Sequence, residues 1–71
     1  MSTLHIFAKP ASTYAANVLA NLVSAEDRLL LVSDACYSAV QFRQFSSKLY
    51  LLKEDAIARD ILIDANDTAI E

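Results

Sequence analysis

Seventy-one residues make a single domain over residues 1–71 at most, and one this small buries only about 60% of its unfolded surface, so partner subunits would add stability. With 55% hydrophobic and 21% charged residues, the chain is too apolar for disorder and carries more buried-type residues than a small sphere hides, so oligomerisation is expected. A net charge of −3 excludes a chain that grips RNA alone, since that binding relies on Lys and Arg neutralising phosphates.

Leu4-His5-Ile6-Phe7-Ala8 reads as a first strand that ends at Lys9-Pro10, where proline lacks a donor and fixes φ. Ser12 or Thr13 is then placed to cap a helix. From Tyr14 the apolar residues pair as Tyr14/Ala15, Val18/Leu19 and Leu22/Val23, a four-residue recurrence that builds one stripe, with Asn17 and Asn21 facing away. Ser24-Ala25-Glu26-Asp27 is a polar break before Arg28-Leu29-Leu30-Leu31-Val32, whose lack of alternation predicts a strand covered on both faces, with helices on each side.

Asp34 suits the N-cap of a second helix from about Ala35 to Phe45, in which Tyr37, Val40, Phe42 and Phe45 supply bulk. After Ser46-Ser47, Lys48-Leu49-Tyr50-Leu51-Leu52 reads as a third strand. Lys53-Glu54-Asp55 leads into a short helix, Ala56-Ile57-Ala58-Arg59, and Ile61-Leu62-Ile63 reads as a fourth strand. The βαβαβαβ order predicts a small three-layer α/β/α sandwich around a mainly parallel sheet of about four strands, with right-handed crossovers.

Glycine is absent from the chain, so neither a dinucleotide fingerprint nor a P-loop can be built. One His and one Cys are too few for a zinc site within one chain, and a serine triad lacks its Gly-x-Ser-x-Gly elbow, so no metal or cofactor is expected. His5, between Leu4 and Ile6, reads as a hydrogen-bonded core or interface residue rather than a proton carrier. Asp64 and Asp67 read as caps of a terminal helix, and Glu54 and Asp55 as first-turn acids that suit the helix dipole. Tyr14, Tyr37, Phe42 and Phe45 have too little basic interleaving for a base-stacking platform and read as core or interface.

Cys36 has two readings. At a helix start, backbone N–H groups and the dipole would favour a thiolate, while Asp34 opposes it. A free cysteine is also among the most buried residue types, which favours packing under the sheet edge. It cannot form an internal disulfide, and with no signal-like leader the expected location is cytoplasmic. The longest apolar run falls far short of the roughly 20 residues that cross a bilayer.

In order along the chain, Leu4-His5-Ile6, Lys9-Pro10, Leu29-Leu30-Leu31-Val32-Ser33-Asp34 with Ala35-Cys36-Tyr37-Ser38-Ala39, and Leu49 to Arg59 resemble the DsrH/TusB-like family of the DsrE/DsrF/DsrH sulfur-relay superfamily. Leu52-Lys53-Glu54-Asp55-Ala56-Ile57-Ala58-Arg59 is the most telling stretch, and Ile61-Leu62-Ile63-Asp64 with Asp67 extends the likeness. The chain departs from the family at Asp34-Ala35, where Asp-Gly is usual, so the turn should not need positive φ. Some sulfur-oxidiser members carry a cysteine in the first helix, but Ala20 and Asn21 offer no thiol. Residues between Arg59 and Ile61 and an apolar tail after Glu71 are expected in the family and are not present in this sequence.

The resemblance implies an accessory subunit of a TusBCD-like complex in tRNA wobble-uridine 2-thiolation, assembled with TusC-like and TusD-like chains, which would carry the thiol chemistry. It transfers no catalytic residue. Two alternatives stand beside it. In one, Cys36 is a persulfide carrier whose thiolate attacks a donor persulfide and passes the sulfur on; in the other, the chain is a homo-oligomeric interaction protein. In none of the three does the subunit contact nucleic acid or membrane directly.

Overall fold

The computed structural model describes residues 3–46, 48–64 and 67–71. Four strands, β1 (Leu4–Phe7), β2 (Arg28–Leu31), β3 (Lys48–Leu52) and β4 (Thr68–Ile70), lie parallel in the order β1-β2-β3-β4. Helices α1 (Ala16–Leu22), α2 (Ala39–Arg43) and α3 (Lys53–Ala58) occupy the three crossovers, with 3₁₀ turns at Ala11–Thr13 and Ser33–Ser38. The α/β class and the parallel four-stranded sheet are those expected from the sequence.

Strand order decides where the layers fall. Every crossover steps in the same direction, and right-handed crossovers that never reverse place their helices on one face. The register puts His5, Phe7, Leu29, Leu31, Leu49 and Leu51 on that face. Phe7 and the four leucines join Leu19 and Val23 from the first crossover, and Ala35, Cys36 and Phe42 from the second, in one buried cluster. Phe42 lies at its centre, stacked on Phe7 with ring centroids 4.8 Å apart.

On the opposite face lie Leu4, Ile6, Arg28, Leu30, Lys48, Tyr50, Leu52, Thr68 and Ile70. Leu4 is 55% and Ile6 62% exposed. The Leu29–Val32 run, expected to be covered on both sides, instead alternates: Leu29 and Leu31 are fully buried while Leu30 is half-buried. Among the described residues, the helices supply one of the two outer layers.

The first helix is shorter than its apolar stripe. Pro10 starts the 3₁₀ turn, in which the Thr13 and Tyr14 amides donate to the Pro10 and Ala11 carbonyls at 3.0 and 3.1 Å. Ser12 and Thr13 are therefore used up in that turn, and α1 begins after Ala15 with no side-chain cap. Of the Val18/Leu19 and Leu22/Val23 pairs one member each is buried, Leu19 and Val23, whereas Val18 and Leu22 are exposed; in the first pair Tyr14 is half-buried and Ala15 exposed. Asp34 does not cap a helix either. It lies in the 3₁₀ turn, exposed, and the α-helix predicted from Ala35 narrows to Ala39–Arg43.

The fourth strand is displaced from Ile61–Ile63 to Thr68–Ile70. The cause is the way α3 ends: the Asp60 amide donates to the Ile57 carbonyl at 3.0 Å and the Ile61 amide to that of Ala56 at 2.9 Å, a Schellman closure with Asp60 at φ 56°. Ile61 has thus given its amide to the helix and packs against the core, while Leu62 faces solvent. Asp64 and Asp67 cap no terminal helix among the described residues, because the chain from Thr68 pairs with β3; Asn66, between them, lies outside the described residues. Ser33 is also left-handed, at φ 50°, so the turn beside Asp34-Ala35 does use positive φ, two residues earlier than a glycine at 35 would supply it.

Candidate functional site

Cys36 lies just past the C-terminal end of β2, in the middle of the Ser33–Ser38 turn, and is 1% exposed. Its thiol donates to the Leu31 carbonyl at 3.4 Å. Burial pushes the thiol pKa up, the negative charge of Asp55 adds to that, and Arg59 only partly opposes it. A helix N-terminus that could stabilise a thiolate is not what surrounds this sulfur, because the residues before it form a 3₁₀ turn. The site holds a neutral thiol at neutral pH.

Beside it opens a cavity of about 270 Å³, lined by Cys36, Val40, Arg43, Ile61, Ile63 and Asp67 among others. Arg43 forms a two-pronged ion pair with Asp67, with Nε donating to Oδ1 at 3.0 Å and Nη2 to Oδ2. The Asp67 carboxylate is almost wholly buried, and this hydrogen bonding raises the Arg43 pKa. The pair ties α2 to the segment entering β4, so the one cation lining the cavity is already bound. At the same end of the sheet, Asp55 accepts from the Ser33 amide at 2.7 Å and Arg59 donates to Asp34 at 3.1 Å, which holds the left-handed Ser33 in place.

A second cluster lies at the N-terminal end of the sheet. Asp27 is buried and accepts from the Thr3 amide at 3.0 Å, the Ser24 amide at 3.0 Å and His5 Nε2 at 2.8 Å. The Ser24 amide bond does most, with His5 and Thr3 next, to hold the Asp27 carboxyl far below the usual carboxylate range against the opposing effect of burial. Ser46, also buried, places its hydroxyl at the Asp27 and Ala25 carbonyls and accepts from the Lys48 amide at 3.2 Å. His5 is therefore the hydrogen-bonded residue expected from its neighbours.

The structure does not bring the titratable residues singled out from the sequence into one site. His5 is at one end of the sheet and Cys36 at the other; Asp67 and Asp55 each serve a separate structural bond. Glu54 is exposed in the first turn of α3. Among the described residues no group of three His, Cys, Asp or Glu is placed to hold a metal ion. Open parallel sheets bind ligands where strand order reverses, and the order here contains no reversal. Asp27, Arg43 and Ser46 carry the polar organisation and were not singled out. The one signal for them was Ser24-x-x-Asp27, the spacing at which an acid reaches back to the amide three residues earlier.

No helix of the described residues is long and apolar enough to cross a membrane. Comparison with curated proteins gave no match, and comparison with solved structures gave none. The family described as DsrH like protein matches residues 9–71, which takes in Asp27 and the Cys36 turn and begins after β1 with its His5. With that span the chain belongs to the DsrH-like family, and this ties it to sulfur relay.

Proposed function

We propose that the chain is an accessory subunit of a cytoplasmic TusBCD-like relay that delivers persulfide sulfur for 2-thiolation of the tRNA wobble uridine. TusC-like and TusD-like chains would be its partners and would carry the sulfur. The observation that supports an assembly role over a carrier role is the state of Cys36. A relay thiol must be reached by a donor persulfide and must attack as thiolate, whereas this sulfur is 1% exposed and its pKa is raised.

The test is a reconstituted thiolation assay with the TusC-like and TusD-like chains of the same genome, comparing wild type with Cys36→Ala. Sulfur transfer that needs this chain yet keeps at least half its rate in Cys36→Ala supports an accessory subunit. Transfer abolished by Cys36→Ala, with assembly intact, would make the cysteine a carrier. Transfer indifferent to the whole chain would remove it from the relay.

A further inference from the structure

We draw no further inference here: the strongest candidate, the apolar sheet face of Leu4, Ile6, Leu30, Tyr50 and Ile70 on the side away from the helices, carries none because nothing in the structure shows what covers it.

Discussion

The two ends of β2 bury a polar side chain each and treat it in opposite ways. At the start of the strand, three donors converge on Asp27 and keep it ionised although it is buried. Just past the other end, Cys36 meets a single carbonyl and a nearby carboxylate, and burial keeps it neutral. Burial alone favours the neutral form of an acid; what reverses it is the number of aimed donors. One end of the strand is thus fastened by charge and the other closed by packing.

Removing the fastening should have the largest effect. Asp27→Ala leaves the Thr3 and Ser24 amides and His5 without their acceptor, and in a domain this small should unfold much of the protein near 37 °C, read as the steepest loss of Tm among these variants. If Asp27→Ala melts within a few degrees of wild type, the end of the strand is held by something other than the carboxylate.

The same pair sets opposite pH limits. A carboxyl whose folded pKa is lowered gives stability that is full above about pH 4, the value of an unfolded aspartate, and fades as the pH falls toward the folded pKa. A thiol whose folded pKa is raised gives stability that is full below about pH 8.5 and is lost as the pH climbs toward its folded value. Urea midpoints measured from pH 3 to pH 10 should fall at both extremes, with Asp27→Asn flattening the acid limb and Cys36→Ala the alkaline one. A Cys36→Ala profile identical to wild type above pH 8.5 would contradict the burial argument.

Thiol labelling sharpens the contrast from the other side. Native protein should react with a disulfide reagent at pH 8 at least about 100-fold more slowly than the urea-unfolded chain, and Cys36→Ala should lose about 1 kcal/mol through the small cavity it leaves. The smallest effects belong to the left-handed residues. Asp60→Gly should stabilise by about 0.5–1 kcal/mol, seen as a higher urea midpoint, because glycine relieves the Cβ clash at φ 56° and keeps both Schellman hydrogen bonds.

The contrast also marks what the sequence made legible. Strands at residues 4, 28 and 48 were readable because apolar runs of the right length begin there after polar breaks, and Lys48–Leu52 has the expected bounds. Ile61–Ile63 misled because a short apolar run also arises in an extended segment that leaves an αL cap, and nothing in three residues separates the two cases. Ser12, Thr13 and Asp34 are good caps by type, but Pro10 and the Ser33 turn fix the backbone into 3₁₀ geometry before an α-helix can start. Helices on both sides were inferred from the unbroken leucines of β2, a pattern that records what the strand can bury and not whether a helix covers it. Asp27 was passed over as one acid in a polar break, since its donors come from Thr3, His5 and Ser24 and only the fold brings the first two near.

The sequential strand order has a kinetic consequence. Leu4 pairs with Arg28, Arg28 with Lys48 and Tyr50 with Thr68, so each ladder closes a loop of only about twenty residues and none waits on a distant segment. Parallel sheets are ordinarily slow to form because their pairings are remote. Here these four strands can pair one neighbour at a time, in the order in which the chain leaves the ribosome.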